Sequence, residues 1–94
     1  MPSTHFFYIL KCSDGSFYIG STTNIVNRVK IHNQGKGAIY TAKRRPVHLV
    51  YYEAFETLDD AVKRERQVKK WSRAKKEALI HGEMESLKKL SKSR

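Results

Sequence analysis

The densest hydrophobic run lies near the N-terminus, where Phe6, Phe7, Tyr8, Ile9 and Leu10 follow one another before Lys11. Asp14-Gly15 is a turn signal, and Phe17-Tyr18-Ile19 resumes the apolar pattern, so this stretch predicts a β-hairpin. Polar punctuation follows: Thr22 or Thr23 is placed to cap a helix from about Asn24 to Asn33, which Gly35 stops. Residues 33–46 read as a loop. Val47 to Phe55, rich in β-branched and aromatic residues, predicts a third strand. Thr57-Leu-Asp-Asp60 resembles a capping box with Asp in the Glu position and opens a helix to about Trp71. Ser72 is placed to cap a short following helix that Gly82 breaks, and Met84, Leu87 and Leu90 predict a last amphipathic turn or two before a basic tail. No internal repeat or linker interrupts this order. The expected fold is α+β, a small three-stranded, mostly antiparallel sheet flanked by helices. Residues 1–82 form one domain, with 83–94 as its short C-terminal helix and tail.

Two polar residues break the apolar faces of the helices. At 100° per residue the second long helix gathers Leu58, Ala61, Val62 and Val68 on one stripe, and Glu65 falls in its middle. A carboxylate on a buried face costs several kcal/mol unless it is paired, hydrogen-bonded or bound to a metal, so Glu65 needs a partner. On the first helix, Arg28 and His32 are four apart and share the face of Ile25 and Val29. Arg28 either pairs with Glu65 or holds a phosphate beside a metal at Glu65, and helix geometry does not choose. Tyr8 and Tyr18 sit ten residues apart on the two hairpin strands, a separation that brings both hydroxyls to one end or face. Strand tyrosines are more often core than catalytic.

Charge narrows the partners. The 94 residues hold 19 Lys and Arg against 9 Asp and Glu, a formal +10, which points to a polyanion, nucleic acid first and an anionic membrane surface second. No apolar run approaches the roughly 20 residues of a membrane span and no secretion signal opens the chain, so a soluble, cytoplasmic protein is expected. A basic amphipathic helix with large exposed apolar residues is also missing, which disfavours the membrane surface. One cysteine, Cys12, and four scattered histidines exclude an intramolecular disulfide and leave no ligand set for a structural zinc.

Together these residues resemble the GIY-YIG nuclease domain. Phe6-Phe7-Tyr8 stands in the first motif, and Tyr18-Ile19-Gly20 matches the second literally. Arg28 falls at the family's helix arginine, His32 where some members carry a catalytic or supporting histidine, and Glu65 at the metal-binding glutamate. The intervals match the nuclease domain of the excision-repair incision proteins, which links the resemblance to DNA repair. It spans Phe6 to about Leu79, and Gly35-Lys36-Gly37-Ala38-Ile39-Tyr40-Thr41 resembles the small stand-alone members. The first motif has Phe-Phe for Gly-Ile, and Glu77 stands where many members have a supporting asparagine. An added carboxylate there would raise the pKa of a neighbouring acid or add a metal contact.

The resemblance implies metal-dependent hydrolysis of nucleic-acid phosphodiesters with little sequence specificity, DNA being favoured and RNA possible. Glu65 would hold a single Mg²⁺ or Mn²⁺, Arg28 the non-bridging oxygens, and Tyr8 or Tyr18 would take the proton of the attacking water, with His32 as relay. These residues are expected around one shallow cleft, with the Arg28 and Glu65 side chains on the same side of the sheet. Two surfaces are candidates for the substrate backbone. The loop from Gly35 to Arg45 carries Tyr40 and four basic residues, Lys36, Lys43, Arg44 and Arg45. The stretch from Lys63 to Lys76 has eight basic residues and one acid, among them Lys69 and Lys70, on helix faces away from Glu65. The alternative function is a catalytically weak or inactive nucleic-acid-binding module of the same fold, for which Glu77 speaks.

Overall fold

A computed structural model of the chain describes residues 4–82. Its elements are β1 (His5–Lys11), β2 (Phe17–Thr22), α1 (Ile25–Asn33), α2 (Ile39–Ala42), β3 (His48–Phe55), α3 (Leu58–Lys69) and α4 (Arg73–Ile80). The expected three-stranded sheet with flanking helices is present. The strands run in the order β2-β1-β3, each pair antiparallel, so β2 and β3 are edges. The hairpin turns through Gly15 at φ +84°, while Asp14 accepts hydrogen bonds from the Ser16 N–H and hydroxyl. The stretch Met84 to Leu90 and its expected helix lie outside the described residues.

Three boundaries differ from expectation. Asn24, not Thr22 or Thr23, caps α1 by accepting from the Asn27 N–H, because the Thr22 side chain turns inward and its hydroxyl accepts from the Asn24 N–H. The 33–46 loop contains α2, whose four residues are too few to show a helical period. Helix α3 ends at Lys69 rather than Trp71, with Lys70 as its C-cap. The caps at Thr57 and Ser72 form as read, accepting from the Asp60 and Lys75 N–H groups.

Alternation along β1 sends Phe7 and Ile9 to one face of the sheet and Tyr8 and Leu10 to the other. The first face meets Ile19, Val68 of α3 and Leu79 of α4. The second meets Cys12, Val47 and, from α1, Val29. Leu58, expected on the buried stripe, is 55% exposed. It opens α3, and the first position of that helix to reach full burial is Ala61, one turn later.

Candidate active site

The site begins with a register. Tyr8 lies opposite Gly20 across β1 and β2, and Leu10 lies opposite Tyr18, so both tyrosines share the face covered by α1. A Cβ on Gly20 would sit 2.6 Å from the Tyr8 hydroxyl. The glycine of the second motif is therefore a clearance: without it the Tyr8 ring could not lean across the edge strand. The next residue on β2, Ser21, points to the opposite face by alternation, and its hydroxyl donates to the Glu65 carboxylate.

Helix α1 brings His32 fully inside. Its Nε2 lies 3.0 Å from the Tyr8 hydroxyl and its Nδ1 2.8 Å from that of Thr41 in α2. Arg28, one turn earlier, lies beside the Tyr8 hydroxyl. Burial, reinforced by the neighbouring Tyr18, pushes the Tyr8 phenol up to about 12, a rise that Arg28 opposes and Glu65 adds to. Burial first and the Arg28 charge second hold His32 below its ordinary value. At neutral pH this pair is therefore a phenol and an uncharged imidazole.

The arrangement corrects two expectations. Helices α1 and α3 cover opposite faces of the sheet, and among the described residues Arg28 and Glu65 do not form the ion pair that was one of the two readings. The two side chains approach the edge strand at the consecutive residues Gly20 and Ser21, and both charges act on the Tyr8 hydroxyl. The partner Glu65 requires is supplied by Ser21 and by Lys69, whose Nζ is 2.7 Å from Oε2. Lys69 thus does not lie away from Glu65. Four residues advance the helix by 400°, which returns it to nearly the same side.

Beside Tyr18 lies a shallow cavity of about 220 Å³, lined by Phe17, Tyr18, Ile19, Tyr40, Lys69 and Lys76. Tyr18 packs against the His32 ring with centroids 5.0 Å apart, Tyr40 stacks on Tyr18 at 6.2 Å, and the Arg44 guanidinium covers Tyr40 at 3.8 Å. A second cavity, about 390 Å³, is lined by the loop from Gly35 to Ile39 with Ala42 and Lys43, so Lys36 and Lys43 face one hollow. Arg44 and Arg45 have inward partners. Arg44 pairs with Asp14 at 3.0 Å and donates to the Tyr40 carbonyl, while Arg45 donates to the carbonyls of Ala42 and Asn33. Their first task is to pin the loop. Lys70 sits exposed at the end of α3. Glu77 pairs with Arg73 at 3.3 Å, and Arg73 in turn covers the Phe17 ring.

The residues bearing on the site that sequence reasoning passed over are Ser21 and Thr41. Ser21 was reachable from alternation, once Gly20 was placed under Tyr8. Thr41 carries no such signal, because its partner is nine residues away across an irregular loop.

Residues 4–78 match the family model described as the GIY-YIG catalytic domain. The chain belongs to the GIY-YIG family. UPF0213 proteins of Staphylococcus aureus are 54% identical over 77 residues, covering 82% of this chain and 94% of theirs. A solution NMR structure of a UPF0213 protein from Bacillus halodurans superposes with a TM-score of 0.54 at 48% identity, covering 82% of each chain. Another NMR structure, of a protein from E. faecalis, gives 0.59 at 48% identity over 87% of this chain and 86% of that one. GIY-YIG domains form a nuclease superfamily, and in this member the two name-giving motifs are the facing strands β1 and β2. The Phe-Phe of the first motif is accommodated because Phe7 turns to the apolar face and leaves Tyr8 to carry the hydroxyl.

Proposed function

We propose that the protein is a divalent-metal-dependent endonuclease that hydrolyses nucleic-acid phosphodiester bonds with little sequence specificity, DNA before RNA. The observation that carries this is the convergence at the edge strand: a buried tyrosine hydroxyl between His32 and Arg28, and one residue further along β2 a tethered carboxylate. A purely binding protein has no need to bury this set together.

The donor set suits a hard cation. Among the described residues no cluster of three or more His, Cys, Asp or Glu forms a closed cage, and the Glu65 carboxylate, 19% exposed, is an oxygen ligand held by Ser21 at one oxygen and by Lys69 at the other, where a cation would take the place of the lysine. Glu65 would hold one Mg²⁺ or Mn²⁺, which when bound supplies Lewis-acid polarisation of a phosphate oxygen and stabilises the leaving alkoxide. Arg28, always charged, would bind the non-bridging oxygens as negative charge builds. Tyr18 is the better base: it lines the cavity, and its hydroxyl has no hydrogen-bond partner among the described residues. Tyr8, inaccessible and held protonated, orients Arg28 instead. Lys69, Lys76, Lys36 and Lys43 draw in the substrate backbone, as their positions on the two cavities favour.

The test is purified protein with single-stranded, duplex, flap and structured RNA substrates, in Mg²⁺, Mn²⁺ or chelator, beside Glu65→Gln. Cleavage should need the metal and vanish in the variant, while nucleic-acid affinity stays nearly unchanged. A variant that cuts as fast as the parent makes Glu65 structural, and binding without any cutting leaves the catalytically inactive module.

A further inference from the structure

We propose that Thr41 is a positioning residue that fixes the tautomer of His32 and, through it, the direction of the Tyr8 hydroxyl. Thr41, His32 and Tyr8 are 0%, 0% and 1% exposed, so each polar atom in this chain must find its partner inside the protein. The Thr41 hydroxyl has one hydrogen, and at 3.2 Å it is directed to the Ala38 carbonyl. A carbonyl can only accept, so the hydroxyl oxygen is left to accept from His32, 2.8 Å away. Nδ1 must then carry the imidazole proton. In a neutral ring this leaves Nε2 bare, and Nε2 accepts from the Tyr8 O–H at 3.0 Å. The direction of the whole chain follows from one carbonyl: Tyr8 gives to His32, His32 to Thr41, and Thr41 to Ala38.

The ring is also gripped from the loop side. A Cβ on Gly37 would collide with His32 Nδ1 and Cε1, so the loop backbone packs directly on the imidazole and holds its plane. With its proton turned toward His32, the Tyr8 oxygen offers lone pairs to the Arg28 guanidinium, a donor that cannot become an acceptor. The reverse tautomer would make Nε2 a donor as well. The Tyr8 oxygen would then face donors from both neighbours, and its own hydrogen would lack a place. Thr41 thus acts on Arg28 from two residues away without touching substrate.

The catalytic consequence rests on the nuclease reading, whereas the tautomer does not, so the experiment reads them separately. In the ¹⁵N-labelled full chain, long-range ¹H–¹⁵N spectra of the imidazoles, with His32 assigned by its loss in His32→Gln, should show a protonated Nδ1 and a bare Nε2 in the parent. Thr41→Val, which keeps the shape and removes the acceptor, should move the proton to Nε2, and Thr41→Ser should restore the parent pattern. A parent with the proton on Nε2 overturns the proposal even if the valine variant does not fold, as does a valine variant that keeps Nδ1–H. In cleavage assays Thr41→Val should lower kcat by about 10-fold or more with KM little changed, by analogy with the loss of a partner that orients a metal-bound histidine. A spectral switch with unchanged kcat would overturn the catalytic half alone. Failure of the parent to cleave any substrate would remove the nuclease reading and leave the tautomer assignment standing.

Discussion

The two faces of the sheet are built from alternate residues of the same strand, yet they solve different problems. On one, Phe7, Ile9 and Ile19 close against Val68 and Leu79, and the buried polar side chain beside them is Lys75, whose ammonium lies over the Trp71 ring. On the other, Tyr8, Leu10, Cys12 and Val47 close under α1, and the same layer buries His32 and Thr41. The centre of the first face needs mainly volume and apolar area, with the Ser21–Glu65 and Tyr51–Glu53 bonds at its margins. The second needs directions, since a misplaced donor is left without water; among the described residues no buried side-chain nitrogen or oxygen lacks a partner. The candidate catalytic side chains collect where the faces meet, at the edge strand.

A stability experiment separates the faces. Ile9→Ala on the apolar face should cost about 2–5 kcal/mol, the usual range for emptying a well-packed site, and should leave the kcat of the folded fraction unchanged. Tyr8→Phe on the other face should do the reverse, retaining most of the stability while slowing cleavage. Denaturant unfolding beside cleavage assays measures both. If Ile9→Ala lowers kcat as much as it lowers stability, the division between faces fails.

Next in size is the contrast between the two tyrosines. Tyr18→Phe should slow cleavage by roughly 100-fold or more if Tyr18 is the base, because a positioned base contributes about 10²–10⁴-fold. Tyr8→Phe should slow it less, through the orientation of Arg28. Single-turnover rates with a saturating substrate decide this, and a larger loss in Tyr8→Phe would hand the base role to the buried residue.

The apolar face was legible in the sequence because its signal is local: alternation along β1 and a helical stripe through Ala61, Val62 and Val68. The polar face was legible only in outline. Helix phasing found that Glu65, Arg28 and His32 point inward, since one turn of helix brings i and i+4 together wherever the helix lies. It could not say which face of the sheet each helix covers, because the loop from Asn33 to Pro46 that carries the chain from α1 to β3 has no periodicity. The basic residues show a similar limit. Sequence counts Lys36, Lys43, Arg44 and Arg45 alike, but the carbonyls of Tyr40, Ala42 and Asn33 take up the two arginines.

That difference within the loop gives a smaller effect. Log affinity for nucleic acid should fall linearly with log salt, with a slope of about −0.7 per phosphate on single strands and −0.9 on duplex. Lys36→Ala with Lys43→Ala should reduce its magnitude by about one to two units and weaken all sequences alike. Arg44→Ala with Arg45→Ala should change the slope less and lower thermal stability, because it releases the loop. Equal slopes for the parent and the lysine pair would place the phosphate contacts elsewhere.

The smallest effect is the dependence of stability on pH, in which each face leaves its own mark. His32, on the polar face, has its pKa lowered by burial and by Arg28, and Tyr8, Tyr18 and Thr41 enclose the ring from β1, β2 and α2. Below about pH 6.5 the unfolded chain binds a proton at this residue that the native state resists. Its contribution is therefore complete above that pH and is lost as pH falls, at no more than about 1.4 kcal/mol per pH unit. On the alkaline side the sign reverses. Tyr8 and Tyr51, each raised to about 12 chiefly by burial, keep their protons where the unfolded phenols lose them, so stability present below about pH 10 is lost as pH rises toward 12. Tyr51 packs on Phe7 of the apolar face and donates to Glu53, which gives that face an alkaline titration of its own. Tyr8→Phe and Tyr51→Phe should each remove part of the alkaline loss, whereas neither should remove the acid loss between pH 6.5 and 5. Melting temperatures across pH 5–12 check this, together with a ring titration of His32 by NMR. A His32 that titrates above neutral pH would mean that its imidazole is charged beside Arg28, and the neutral relay from Tyr8 to Thr41 could not form.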